Sequence, residues 1–205
     1  MRRNATLWIS IGAAVLVSLA LAAFLGAAIF QKLGRQMAQR NLARAALSGD
    51  VAGMERALAD GARVNAPVKG RPAIFWATQG GHAEAIRFLT RHGADLHYRD
   101  PQGALPLTMA VNLRKIDGLR ALLEAGADPN VVNSRGFSPL QVAVSRGDVE
   151  VVRILVRGGA DPHFRSSGPT PLEAARERPA ILRELAGRPA ETAPRGAGAA
   201  HPRRR

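Results

Sequence analysis

Cysteine is absent from this 205-residue chain, so no disulfide staples it and no thiolate is on hand as a nucleophile or soft metal ligand. Aromatic residues are scarce at 4% of the sequence, too few for the stripe of rings on which single-stranded nucleic acid stacks. A Gly-rich phosphate loop of the Walker kind and a His-Glu-x-x-His metal motif are missing too. The histidines are His82, His92, His97, His163 and His201. His92 and His97 flank one turn, but they make a poor metal set, with no thiolate at hand and with the acid between them, Asp95, at a turn position that recurs once per unit. All five read as surface or structural groups. These absences leave no catalytic, cofactor-binding or metal residue to nominate, and the expectation is a protein that is not an enzyme.

Acidic residues are in short supply as well, 16 against 29 Lys and Arg, for a net charge of +13. Most of that excess lies outside the middle of the chain. Residues 41–185 hold 19 basic and 15 acidic side chains, a balance of +4, while the first 40 residues carry +5 and the last 20 carry +4. The tail, 186–205, is rich in Pro, Ala, Gly and Arg and ends in Arg203-Arg204-Arg205. It has too little apolar surface to offset its ordering entropy, so it is expected to be a disordered basic tail. No nucleic acid is expected as a partner.

What the chain has in plenty is repetition. Gly61-Ala62-Arg63, Gly93-Ala94-Asp95, Gly126-Ala127-Asp128 and Gly159-Ala160-Asp161 recur at spacings of 32, 33 and 33 residues. In phase with them stand Gly103-Ala104-Leu105-Pro106-Leu107, Gly136-Phe137-Ser138-Pro139-Leu140 and Gly168-Pro169-Thr170-Pro171-Leu172, with a weaker Gly70-Arg71-Pro72-Ala73-Ile74 ahead of them. Ser138 and Thr170 are placed to cap helices whose first residue is proline, where the missing donor costs nothing. Gly49-Asp50, Gly81-His82 and Gly147-Asp148 mark a left-handed stop between two helices. The second helices read Ala85-Ile86-Phe88-Leu89, Leu119-Leu122-Leu123 and Val151-Val152-Ile154-Leu155, one apolar stripe each. Asp95, Asp128 and Asp161 fall once per unit at a turn, which is an architectural pattern rather than a catalytic pair.

The period and the helix-opening motif resemble those of the ankyrin repeat family. The resemblance covers about Asn41 to Leu185 and implies an all-α solenoid of stacked helix pairs joined by short β-hairpin turns. Three fuller repeats are expected between two degenerate caps within 41–185. The family's terminal histidine of the motif is replaced by Phe75, Thr108, Gln141 and Glu173, and the capping Ser/Thr by Pro72 and Leu105. A thinner hydrogen-bond network between hairpins is therefore expected. Phe75 and Trp76 are placed to thicken the seam against the first unit or to form an apolar part of a groove.

Ahead of the repeats, after a short basic N-terminus (1–4), residues 5–30 run for 26 positions without a charge. A helix of about 20 such residues crosses a hydrocarbon core, so one N-terminal transmembrane helix is expected at 5–30. A basic juxtamembrane helix (31–40) should follow and continue into the first repeat despite Gly34. A cleavable secretory signal competes, given Arg2-Arg3 and the small-x-small Ala20-Leu21-Ala22, although its apolar region would be about 7–15 residues. Four basic residues after the run, Lys32, Arg35, Arg40 and Arg44, against Arg2 and Arg3 before it lean toward cytoplasmic repeats, slightly ahead of periplasmic ones, for a single-pass protein of a bacterial inner membrane. Ala14, Ser18, Ala22 and Gly26 form a small-xxx-small stripe open to homodimer packing.

What the resemblance implies about function is protein–protein interaction, with the partner on the concave face made by hairpin tips and first helices. On this sequence those positions are Lys69, Arg71 and Gln79, then Gln102, Asn112 and Leu113, then Ser134, Arg135, Phe137, Ser145 and Arg146. Phe137 beside Arg135 has the composition of a binding hot spot, or else it packs over the neighbouring hairpin. The reading is a scaffold that holds another protein at the bilayer. The alternative is a periplasmic binding protein that occludes a toxin or enzyme.

Overall fold

A computed structural model describes the backbone of residues 2–186 and the side chains of residues 23–186. The helices run α1 (Arg2–Ser48), α2 (Val51–Ala59), α3 (Ala73–Gly80), α4 (Ala83–Arg91), α5 (Pro106–Asn112), α6 (Ile116–Glu124), α7 (Pro139–Arg146), α8 (Val149–Arg157), α9 (Pro171–Ala174) and α10 (Pro179–Ala186). No strand occurs among the described residues. The expected hairpins are present as turns, with an antiparallel bridge between Val68 and Arg71 and closing bonds from Asp100 N–H to Ala104 O (2.9 Å) and from Asn133 N–H to Phe137 O (3.0 Å).

Local chemistry sets the helix ends. Ser138 Oγ accepts the Gln141 amide and Thr170 Oγ1 accepts the Glu173 amide, each at 3.2 Å, and Pro139 and Pro171 open their helices. Asp50 caps α2 through the Gly53 amide and Asp148 caps α8 through the Val151 amide. Between paired helices Gly81 (φ 83°) and Gly147 (φ 74°) take the left-handed conformation that a Cβ opposes. The third unit has no glycine there, and Arg114 adopts φ 53° instead.

The apolar stripes then stack. First helices pack in the order α1, α3, α5, α7, α9 and second helices in the order α2, α4, α6, α8, α10, so each unit buries its face on the next. Leu42, Met54, Ile74, Phe75, Ile86, Leu89, Leu107, Leu119, Leu122, Leu140 and Leu155 are fully buried in one continuous core. Full burial of each such side chain is worth about 1.5–3 kcal/mol. At the C-terminal end α9 is only four residues long, so the first helix of the last unit is shortened, while α10 runs for eight residues to the end of the described chain.

Phe75 is fully buried. Its ring meets Tyr98 edge-on, centroids 6.0 Å apart, toward the third unit. Trp76 is half-buried and donates its indole N–H to Arg71 O at 3.2 Å. The expected thinning between hairpins holds in part. Pro72 and Leu105 offer no side-chain cap, and Thr108 bonds only back to Leu105. Gln141, however, caps the Ser138 amide at 2.9 Å and reaches Ser167 O (3.2 Å) and Pro169 O (2.7 Å) of the next hairpin. An amide carries both donors and acceptors, so one side chain caps its own helix and joins the next hairpin.

α1 passes through Gly34 without a break. Its contacts with the stack begin at Ala38, which is 2% exposed, and at Gln39. The Gln39 amide donates to Arg63 O (3.0 Å) and Ala66 O (2.8 Å) and accepts from Arg63 N–H (2.9 Å). Among the described residues no helix is long and apolar enough to cross a membrane. Positions 5–22 of the expected span, with Ala14, Ser18 and Ala22 of the small-residue stripe, lie outside the residues whose side chains are described. The expected disordered tail beyond Ala186 also lies outside the described residues.

Candidate protein-binding face

The hairpin tips stack against one another as the helices do. A Cβ built on Gly70 would stand 2.6 Å from Pro101 Cγ, and one on Gly103 would stand 3.2 Å from Ser134 Cβ. Within each tip an Asx side chain organises the turn. Asp100 Oδ1 accepts the amides of Gln102 and Ala104 (3.0 and 2.8 Å), and Asn133 Oδ1 accepts those of Arg135 and Phe137 (2.9 and 3.0 Å). Asp95, Asp128 and Asp161 accept amides two residues on, which is the turn role their period implies. Asn65 and Asn130 extend the pattern across units by accepting the Asp95 and Asp161 amides, each at 2.9 Å.

On this frame ten of the eleven candidate residues are solvent-exposed and Arg71 is half-buried. Four of them, Arg71, Gln102, Asn112 and Arg146, link neighbouring units. The Arg71 guanidinium lies 2.7 Å from Asp100 Oδ2 and 3.3 Å from Gln102 Oε1. Arg146 donates to Val111 O, Asn112 O and Asn112 Oδ1 at 3.2, 3.1 and 2.9 Å, closing the carbonyl end of α5. Ser145 turns back to Val142 O at 2.9 Å. Arg178 repeats the part of Arg146 one unit on, donating to Val144 O and Ser145 O. That role is written in the separations of 33 to 35 residues, one repeat length, and single-residue reading misses it.

Lys69, Gln79, Leu113, Arg135 and Phe137 keep their side chains outward. Beyond α1, the exposed large apolar side chains among the described residues are Leu113 (46%) and Phe137 (38%), and both are on this face. The Phe137 ring also comes within 3.8 Å of a Cβ built on Gly168, so it leans on the next hairpin while one side stays open.

Ion pairs join neighbouring units elsewhere on the stack. Arg87 bridges Glu84 and Glu124 (2.8 and 3.0 Å), Arg114 bridges Asp148 and Glu150 (2.7 and 2.9 Å), and Arg153 meets Glu184 at 2.6 Å. Burial pushes the Asp148 carboxyl up, but hydrogen bonds from Arg114 and the Val151 amide outweigh it and leave the group below its usual range. The Arg153 bond holds Glu184 low, and the Thr170 amide holds Glu173 low.

No group of three or more metal-ligating side chains is found among the described residues. His92 Nδ1 lies 2.8 Å from Phe88 O and its ring packs on Phe88 at 4.2 Å, while the His97 amide belongs to the Asp95 turn. His201 lies outside the described residues. The family model for ankyrin repeats (3 copies) matches residues 42–133 and 117–193. No curated protein matches the chain significantly.

Proposed function

The chain belongs to the ankyrin repeat family, whose stacks are protein–protein interaction modules, and from that premise we propose that it holds a partner protein at the membrane without catalysing a reaction. The observation that carries the binding face is the exposure of Leu113 and Phe137 beside Arg135. A large apolar side chain left half in water on an otherwise polar face is the usual anchor of a docked partner.

Membrane attachment rests on the uncharged run 5–30 and on the continuity of α1 from Arg2 to Ser48. At 1.5 Å per residue the helix places the start of the first repeat, at Asn41, about 16 Å beyond Phe30, and Gln39 fixes the angle between helix and stack. A tether of that kind raises the local concentration of the partner at the bilayer. The reading puts the repeats in the cytoplasm.

The test is co-recovery from solubilised membranes. Phe137→Ala with Arg135→Ala should abolish partner recovery while the helical circular-dichroism signal is kept, and unchanged recovery would move the site elsewhere. Carbonate-resistant membrane fractionation of the full chain checks the tether, and a soluble chain overturns it. A topology reporter fused after Arg205 separates the compartments: periplasmic activity replaces the scaffold by the occluding protein of the alternative reading.

A further inference from the structure

The hairpin tips of the second to fourth units, 68–71, 101–104 and 134–137, carry Lys69, Arg71 and Arg135 and no acid. Asp100 is buried at 4% and pairs with Arg71, which leaves Lys69 and Arg135 as the cations of the tips. Asp95 and Asp128 keep their charge but stand off the tips, at the turns that follow α4 and α6. Arg99 sits beside the same row with its guanidinium on Gly103 O and Val132 O, so its charge meets no carboxylate. The second helices differ in mixing acids with their cations: Arg87 and Arg153 are bridged there to Glu124 and Glu184, and Asp117, Glu124 and Glu150 share those helices with Arg91, Arg120 and Arg157. Positive potential is therefore left unbalanced on one side of the stack. That side also holds Phe137 and Leu113, and in its first helices Trp76, Met109 and Val142 occupy equivalent places with at least partial burial.

Geometry adds a spacing. Lys69 and Arg135 hold equivalent places two units apart, with neutral Gln102 between them. Neighbouring first helices pack directly, which sets them about 8–10 Å apart, so two steps are about 16–20 Å. An extended chain rises about 3.3 Å per residue and returns to the same face every second residue. Six residues satisfy both conditions. The tail 186–205, with Arg188, Arg195 and three terminal arginines against Glu191, has the wrong sign to occupy the row itself.

We infer that this face takes an extended segment of a partner protein bearing two acidic residues six positions apart, one at Lys69 and one at Arg135, with an apolar residue beside Phe137. The inference rests on the binding-face reading above and narrows it to a class of partner. A single-stranded nucleic acid would want stacked rings between the cations, and the row supplies one exposed aromatic, Phe137.

The test is fluorescence anisotropy with the full chain in a nonionic detergent and labelled twelve-residue peptides. One peptide carries acids six apart around a leucine, a second has the same composition with the acids adjacent, and a third replaces acids by amides. The six-apart peptide should bind roughly tenfold or more tightly than either of the others and weaken steeply with salt. Lys69→Glu with Arg135→Glu should abolish that binding, and a peptide with lysines in place of the acids should restore it, a rescue that an unfolded variant cannot give. Equal binding of the first two peptides, no effect of charge reversal, or tighter binding of a twelve-nucleotide RNA each overturns the inference. If membrane co-recovery still depends on Phe137 and Arg135 while the peptides fail, the face stands and the acidic class falls. If co-recovery is unaffected by those residues, the face itself is wrong.

Discussion

The Arg71 guanidinium lies 2.7 Å from the Asp100 carboxylate, whose side chain is fully buried, and this pair ties the hairpin of the second unit to that of the third. Asp100 also accepts two amides of its own turn. Arg71→Ala therefore leaves a buried charge with partial compensation, and the loss should be about 2–4 kcal/mol, near the lower part of the range for broken buried pairs. Asn133 fills the same turn position one unit on without a charge. Adding Asp100→Asn to Arg71→Ala should recover most of the loss in urea denaturation. A double variant no more stable than Arg71→Ala would mean that the charge is not what makes the single change harmful.

Close stacking of the hairpins is tested by two glycines that share a conformation and differ in surroundings. Gly70 has φ 77° and a Cβ added there would stand 2.6 Å from Pro101 Cγ, whereas Gly93 has φ 81° and a Cβ there would meet nothing within 4 Å. Gly93→Ala should cost about 1–2 kcal/mol for the left-handed backbone alone. Gly70→Ala should cost more, because the proline ring cannot rotate away. Thermal unfolding of both reads the difference, and equal losses would show that the two tips are not in contact.

The repeat phase, the caps at Ser138 and Thr170 and the left-handed stops at Gly81 and Gly147 were legible in the chain because each depends on neighbours within a few residues. Gln141, Arg146 and Arg178 were not, since their partners stand 25 to 35 residues away and become adjacent only when units stack. The outward positions of Leu113 and Phe137 were legible from the family frame, but the commitment of Arg71 and Arg146 to the stack was not. A long cationic side chain at a repeat boundary reaches partner and neighbour equally well, and only the packing of adjacent units decides between them.

Acid should loosen the C-terminal end. Asp148, Glu173 and Glu184 all titrate below their ordinary values in the folded chain. Their contribution is therefore present above the unfolded carboxylate range, about pH 4, and is lost as pH falls through the lowered folded values. Glu173→Gln preserves the capping arrangement with a neutral amide, as Gln141 does. Its deficit relative to the parent should be visible in urea midpoints near neutral pH and vanish once the parent carboxyl is protonated. A deficit that stays constant across that interval would contradict the lowered titration of Glu173.

Arg114 sets two effects against each other. Its φ of 53° is unfavourable for any residue with a Cβ, yet that backbone holds its guanidinium on Asp148 and Glu150 at 2.7 and 2.9 Å. The side chain is 59% exposed, so solvent and salt weaken those pairs. Glycine occupies the equivalent place in the second and fourth units. Arg114→Gly should therefore raise the melting temperature in about 1 M salt, where the Debye length is about 3 Å, and by less at low salt, where the pairs it removes still count. Arg114→Ala keeps the strain and loses the pairs, so it should fall below both at low salt and converge on the parent in about 1 M salt. An Arg114→Gly chain that melts below the parent in high salt would show that the left-handed arginine is supported by something other than its carboxylates.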